Sequence, residues 1–175
     1  VRSEAKPDLS PAEILRRVNR ALAGEAPDDV FITALFGILD TADQLSLIKR
    51  MYKAHNLDDD RFPPKQLGWF IASAKDAGLR PSAVEAGDEF ARRQVEHYAL
   101  YEAMCQREGV VDFAELLLRS YELLAGNEAI RKHYQRRFSH LLVDEFQDTN
   151  VLQYRWLQML AGTDAAVFAV GDDDQ

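Results

Sequence analysis

Two short apolar runs near the end of the chain, on either side of an amphipathic segment, place the strongest constraint on its fold. The runs span residues 140–143 and 165–170, and the acidic pair Asp144 and Glu145 follows the first of them. Such runs predict strands buried on both faces, and residues 150–160 have the apolar spacing of a helix. In a parallel sheet this unit brings both strand ends to one edge, where ligands of open α/β sheets bind. The sequence therefore predicts a ligand-binding edge with two carboxylates.

The longer part of the chain, residues 31–138, is predicted to be a helical, bundle-like domain. Its apolar residues recur at helical spacing and are separated by residues that begin or end helices. Asp40 or Thr41 is expected to cap one helix and Asp112 another. Further helices are predicted over about 65–76, 82–106 and 113–125, and a short basic helix ends near residue 138. Residues 30–39 suit either a strand or a buried connector, and residues 1–30 form an unassigned lead-in with a helix that begins at Ser10.

Composition indicates a folded protein of a reducing compartment. The chain has 175 residues, of which 47% are hydrophobic, and this is enough to bury a core. Its one cysteine, Cys105, excludes an internal disulfide, favours the cytoplasm and is expected to be a core thiol. No apolar run approaches the roughly 18–20 residues that cross a bilayer, and no signal peptide is evident, so we expect no membrane partner.

The net charge of −8 does not decide whether the protein binds nucleic acid. Residues 144–175 hold seven acidic side chains and one basic side chain, so this short segment contributes −6 of the total. The remaining 143 residues carry a net charge of only −2. The surface outside the acidic segment is therefore nearly balanced, and contact with DNA phosphates is compatible with it.

The acidic pair has a recognised use in nucleotide hydrolysis. Mg²⁺ prefers a few carboxylates together with phosphate oxygens, so Asp144 could hold the ion. Neighbouring side chains on an extended segment point to opposite sides, so Glu145 could orient and deprotonate a water molecule. A solvated strand end or a helix cap is an equally good reading of the two residues alone.

The acidic pair lies within a longer sequence string, and a second such string follows the second predicted strand. Residues 141–150 read LLVDEFQDTN and residues 170–175 read VGDDDQ. These strings closely resemble motif II, the Walker B element, and the beginning of motif III of the UvrD/Rep/PcrA group of superfamily 1 DNA helicases. Residues 111–117, VDFAELL, also look like that family, and the resemblance covers about residues 36–175.

The resemblance implies both an architecture and an activity. Residues 31–138 would correspond to helicase domain 1B, and residues 139–175 to part of 1A, the first RecA-like motor domain. The complete protein to which these residues belong would be an ATP-dependent 3′–5′ DNA helicase that uses ATP and Mg²⁺. Its partners would be single-stranded and duplex DNA and the rest of the helicase chain. By the same resemblance, Asp144 would bind Mg²⁺, Glu145 would be the catalytic base, and Gln175 would contact the γ-phosphate. Gln147 and Asp148 are expected to organise the loop.

One departure from the family pattern limits what these residues can do alone. The phosphate-binding loop of the family should contain glycine followed by lysine, yet none of the nine glycines is followed by Lys. We therefore expect a helicase fragment that is inactive by itself. The alternative is a stand-alone helical module that binds DNA or protein and retains a vestigial Walker B segment.

Several basic residues are candidate DNA contacts. The densest cluster contains Arg131, Lys132, Arg136 and Arg137, although such a run is more often the solvated face of a short helix. Lys75 and Arg80 could also touch a DNA backbone, and ordinary loop charges explain them equally well. Trp69 and Phe70 could stack on a base, but aromatic residues at helical spacing are more often core residues.

Overall fold

The structure is a computed structural model that describes residues 37–172. The helix predicted from Ser10, residues 30–36 of the predicted strand or connector, and Gln175 lie outside the described residues. The elements in chain order are β1 (Gly37–Leu39), α1 (Thr41–His55), α2 (Pro64–Asp76), α3 (Glu89–Glu108), β2 (Val110–Asp112), α4 (Phe113–Gly126), α5 (Glu128–Arg137), β3 (His140–Val143), α6 (Val151–Ala161) and β4 (Ala166–Ala169). Short 3₁₀ turns lie at Pro81–Ala83 and Phe146–Asp148.

The described residues are mainly helical with small parallel sheets, which agrees with the predicted class. The predicted caps are confirmed: a side-chain oxygen of Asp40 accepts from the Asp43 amide at 2.7 Å, and one of Asp112 accepts from the Glu115 amide at 2.7 Å. Each bond satisfies a backbone donor that the first helical turn cannot pair. Within residues 37–172, none of the helices combines the length and the apolar character of a membrane span.

The long helix predicted over 82–106 begins later than expected. Helix α3 starts at Glu89, because the side chain of Asp88 caps it by accepting from the Ala91 amide at 2.7 Å. The residues before it form a separate 3₁₀ turn at Pro81–Ala83. The other end agrees with expectation: Gly109 follows the helix with a φ of 68°, in the left-handed region that glycine enters most readily.

The core lies among helices α1, α2 and α3. Fully buried apolar side chains from all three helices meet there, namely Leu47, Ile48, Met51, Leu67, Ile71, Tyr98 and Tyr101. Cys105 is buried beside them, as predicted. Trp69 is different, since its side chain is 63% exposed and the Lys65 ammonium lies 5.1 Å from its ring centroid. The expectation that Trp69 is a core residue is therefore wrong.

Two parallel strand pairs connect distant parts of the chain. In the first pair Ile38 of β1 lies opposite Val111 of β2, so the end of residues 30–39 is a strand. The sequence did not predict β2, because a three-residue strand is too short to show alternation. In the second pair Leu142 of β3 lies opposite Phe168 of β4, which gives the predicted strand–helix–strand unit.

The expectation that β3 and β4 are buried on both faces is wrong for the described residues. Leu142 is 77% exposed, and its neighbour across the sheet, Phe168, is 60% exposed. The reason is the size of the sheet: each strand has one neighbour among residues 37–172, and no described element covers the face that carries these two side chains.

Helix α6 attaches the strand–helix–strand unit to the helices before it. Its buried Leu152 packs into the interior, and the indole Nε1 of Trp156 donates to the Ser120 hydroxyl of α4 at 2.8 Å. Arg155 also donates to the carbonyl oxygen of Ala77, after α2, at 3.4 Å. These contacts fix the position of the acidic edge relative to the helical part of the chain.

Candidate functional site

The ends of β3 and β4 meet at one edge, as predicted. The Val170 amide donates to the Val143 carbonyl at 2.8 Å, and the Phe146 amide donates back to the Val170 carbonyl at 2.9 Å. These bonds carry the pairing beyond the regular strands. Asp144 and Glu145 lie between the two bonded positions, and both side chains are exposed at this edge.

Glu145 occupies an uncommon backbone conformation. Its φ of 51° and ψ of 45° lie in the left-handed region, which is unfavourable for most residues other than glycine. A carboxylate oxygen of Asp144 accepts from the Glu145 amide at 3.0 Å and so supports the turn. The 3₁₀ turn at Phe146–Asp148 follows directly. An unfavourable backbone conformation of this kind persists only where the surrounding structure holds it in place, and it is found most often at functional sites.

Gln147 connects the two sides of the edge. Its side-chain Nε2 donates to a carboxylate oxygen of Glu145 at 2.6 Å, and its Oε1 accepts from the Asp172 amide at 3.1 Å. This arrangement agrees with the expectation that Gln147 organises the loop. Asn150 then begins α6 with a capping box, in which its side chain and that of Gln153 each accept from the backbone amide of the other residue.

The acidic pair suits a magnesium ion that is shared with phosphate groups. Mg²⁺ usually takes one or two carboxylates and completes its coordination with water and phosphate oxygens. The exposed carboxylate of Asp144 offers one such donor. No group of three or more His, Cys, Asp or Glu side chains within residues 37–172 is arranged to hold a metal.

Lys75 and Arg80 have partners inside the protein. The Lys75 ammonium is buried and lies 2.7 Å from a carboxylate oxygen of Asp112 and 2.8 Å from one of Glu115. Arg80 pairs with Glu115 and with two more carboxylates, those of Glu102 and Glu122. We call the buried side chains of Lys75, Asp112 and Glu115, together with the partly exposed Arg80, the buried ionic cluster. Because these cations are engaged within it, the structure offers no support for DNA contacts by Lys75 and Arg80.

The residues of the predicted basic cluster on α5 differ in their contacts and exposure. Arg131 donates to the carbonyl oxygens of Leu124 and Ala125 at 2.7 and 3.2 Å, so it ties α5 to the end of α4. Lys132 forms an exposed pair with Glu128 at 2.6 Å. The side chains of Arg136 and Arg137 are exposed.

Comparison with known proteins decides the family. The family model described as the UvrD/REP helicase N-terminal domain matches residues 13–175. The chain belongs to this family. It is 52% identical to DNA helicase II of Haemophilus influenzae over 148 residues, which cover 84% of this chain and 20% of the relative. It is 50% identical to DNA helicase II of Escherichia coli over 141 residues, or 80% of this chain and 20% of the relative.

A more distant relative shows the same partial coverage. The chain is 36% identical to the ATP-dependent DNA helicase PcrA of Bacillus subtilis over 150 residues, which cover 85% of this chain and 20% of that protein. The chain thus spans about a fifth of the length of the curated relatives it matches. The resemblance to UvrD-type helicases predicted from the motifs is confirmed.

Sequence reasoning missed two features of this UvrD/REP domain. The first is the buried ionic cluster, because Asp112 was predicted only as a helix cap, and no partner was predicted for Glu115 or for Lys75. The second is the double contact of Gln147. The separation of the two motifs could have suggested that bridge, since parallel strands must bring the residues that follow them together.

Proposed function

We propose that these residues are part of an ATP-dependent DNA helicase that translocates 3′ to 5′ on single-stranded DNA and unwinds duplex DNA. The observation that carries the proposal is the position of Asp144 and Glu145 at the joined ends of two parallel strands. Membership in the UvrD/REP helicase family and the helicase names of the relatives support it.

The two carboxylates have different roles in this proposal. Asp144 would hold Mg²⁺ together with the phosphates of ATP, and Glu145 would act as the general base. When bound, the ion would neutralise charge that develops on the phosphate oxygens. Glu145 would accept a proton from a water molecule whose oxygen attacks the γ-phosphorus. The bond from the γ-phosphorus to the bridging oxygen would break, and its electron pair would leave with ADP.

Other parts of the proposal extend beyond the described residues or rest on exposed groups. Gln175 would contact the γ-phosphate. Arg136 and Arg137, together with Lys132, are the remaining candidates for contact with DNA phosphates, since they are exposed. Such contacts would be salt-sensitive and independent of base sequence.

The division of the chain follows the same proposal. Residues 31–138 would form a 1B-like helical domain, and residues 139–175 would contribute motif II and the beginning of motif III to a RecA-like motor domain. No glycine of the 175 residues precedes a lysine, so the phosphate-binding loop would come from elsewhere in the helicase. We therefore expect these 175 residues alone to hydrolyse no ATP.

The decisive experiment substitutes the two carboxylates in the complete helicase. Glu145→Gln keeps the shape of the side chain but cannot accept the proton, so kcat for ATP should fall roughly 10²- to 10⁴-fold while ATP still binds. Asp144→Asn should lower the rate and also raise the Mg²⁺ concentration needed for half-maximal activity. Steady-state ATPase assays across a magnesium titration separate the two effects. Near-normal turnover by Glu145→Gln would show that the base has been assigned wrongly.

A further inference from the structure

We infer that Gln147 is a positioning residue, which holds the Glu145 carboxylate and links its orientation to the backbone that follows β4. The inference rests on the proposed function, because it assigns Gln147 a task through the proposed base. The observation behind it is the double contact of one amide group: 2.6 Å from Nε2 to a Glu145 carboxylate oxygen, and 3.1 Å from the Asp172 amide to Oε1.

The chemistry of the two contacts allows only one orientation of the Gln147 amide. The Asp172 backbone N–H can only donate, so it requires the side-chain oxygen of Gln147. An ionised carboxylate can only accept, so Glu145 requires the NH₂ group. Both requirements are met at once by the orientation in the structure. Neither a carboxylate nor an apolar side chain at position 147 could satisfy both.

Gly171 lies against the oxygen end of the Gln147 amide. A Cβ atom at this position would lie 2.6 Å from Oε1 of Gln147, closer than a carbon atom can approach without displacing it. The backbone of Gly171 is not in the left-handed region, so a side chain at this position would act through its contact with Gln147 rather than through backbone strain. The sequence at position 171 therefore leaves room for the Gln147 amide.

The bridge has a mechanical consequence. Gln147 follows Glu145 by two positions, whereas Asp172 follows β4 and precedes Gln175 by three positions. A displacement of the backbone at residues 171–172 would move the oxygen end of the amide, and the nitrogen end would move with it. Glu145 would then lose its hydrogen bond or its orientation. Movement of the backbone after β4 would therefore reach the proposed base through Gln147.

The test measures ATPase kinetics of the complete helicase with Gln147→Ala, Gln147→Glu and the reference variant Glu145→Gln. We expect kcat to fall about 10- to 100-fold in Gln147→Ala, since a small misplacement of a reacting group has an effect of this size. Gln147→Glu should be at least as slow, because it places a second carboxylate against Glu145. The KM for ATP should stay within about twofold, since Gln147 is not expected to bind nucleotide. Gln158→Ala, an exposed glutamine of α6, is the matched control and should behave as wild type.

A double-mutant cycle separates positioning from a general structural effect. Gly171→Ala should displace Gln147 and reduce kcat in the same way. Combined with Gln147→Ala it should add little, because the displaced oxygen is already gone. Hydrogen exchange should be faster at the Asp172 amide in Gln147→Ala, with unchanged protection in the core helices.

The outcomes distinguish this inference from the proposed function. If Glu145→Gln is inactive but Gln147→Ala has normal kcat, the positioning role is wrong and the proposed base stands. A raised KM with normal kcat, or fully additive effects of Gln147→Ala and Gly171→Ala, would also overturn the positioning role. If Glu145→Gln itself retains turnover, the proposed function fails, and the inference fails with it.

Discussion

Lys75 places its ammonium between two buried carboxylates, those of Asp112 and Glu115. Its side chain is 2% exposed, and its ammonium touches Asp112 and Glu115. The Tyr101 hydroxyl donates to the same Asp112 oxygen at 2.9 Å. Burial raises the pKa of Glu115, but Lys75, with Arg119 and Arg80, lowers it more, so this pKa lies below its ordinary value of 4.5. At the scale of single residues, each carboxylate of the buried ionic cluster therefore faces at least one positive charge.

Removal of the Lys75 charge should destabilise the fold strongly. Lys75→Met preserves most of the apolar length but leaves Asp112 and Glu115 buried and without the ammonium. We expect the free energy of unfolding to fall by about 3–5 kcal/mol, the usual effect of breaking a buried ion pair on one side. Urea denaturation followed by circular dichroism measures this change.

An exposed ion pair provides the matched control. Arg50 bonds to Glu108 at 2.8 Å, but the Arg50 side chain is 59% exposed. Arg50→Met should therefore lower the free energy of unfolding by about 1 kcal/mol or less. Equal losses for Arg50→Met and Lys75→Met would contradict the importance given to burial.

The buried ionic cluster also predicts how stability depends on pH. The folded-state pKa of Glu115 is depressed, so its contribution is complete above the unfolded value of about 4.5 and is lost as the pH falls through the folded-state pKa. In Lys75→Met the effect of burial on the pKa of Glu115 meets less opposition, so the folded-state pKa should rise towards the unfolded value. The contribution of Glu115 should then be smaller, and its loss should be complete at a higher pH than in the wild type. Urea midpoints measured between pH 3 and pH 7, about the range in which carboxylates titrate, test this expectation.

At the scale of elements, five of the six α-helices in residues 37–172 begin at a side-chain cap. Asp40, Asp88, Asp112, Asn127 and Asn150 each accept from a backbone amide three residues later. Such local bonds need no tertiary contact, because a donor and its acceptor lie within one turn. A cap residue can also form a tertiary contact once the helix is packed, as Asp112 does with Lys75.

Two cap residues of the same type should respond differently to substitution. Asp88→Asn keeps an acceptor at an exposed cap, so the free energy of unfolding should change by less than about 0.5 kcal/mol, whereas Asp88→Ala should lower it by about 1 kcal/mol. Asp112→Asn also keeps the cap but removes the charge that faces Lys75, and a loss of about 3 kcal/mol is expected. Thermal and urea unfolding of the three variants measure the losses. Similar stability of Asp88→Asn and Asp112→Asn would show that Asp112 is only a cap.

At the scale of the whole molecule, the sheet of β3 and β4 exposes apolar side chains. Leu142 and Phe168 lie on one face in direct register and are more than half exposed. Each strand also has a side without a strand neighbour among residues 37–172. Exposed apolar faces and unpaired strand edges favour association with other chains.

The 175-residue chain should therefore associate through this sheet as its concentration rises. Leu142→Lys combined with Phe168→Lys places charge on the exposed face and should shift association to a higher concentration without changing the helical content. Light scattering coupled to size-exclusion chromatography measures the shift. Leu123→Lys, at an apolar position on α4 that is 51% exposed, is the control and should have a smaller effect. Identical association of wild type and the double variant would place the contact elsewhere.

The sequence by itself determined the helices, the caps at Asp40 and Asp112, the strand–helix–strand unit and the acidic pair. These features depend on neighbours within a few residues: helical spacing identifies α4, and an acid that follows an apolar run identifies Asp144 and Glu145. Motif strings then identified the family. None of these inferences requires knowledge of which distant elements touch.

Only the tertiary structure decided which charges and apolar groups are buried. From the sequence, Lys75 could be an ordinary loop charge, but the packing of α2 and α4 places it against Asp112 and Glu115. Trp69 was predicted to be a core residue, but the packing of α2 leaves its side chain exposed. Gln147 became a bridge only because β3 and β4 pair in parallel. The physical reason is the same in each case. Burial and charge pairing depend on groups that are far apart in the chain, and the spacing of residues within one element does not show which distant groups will meet.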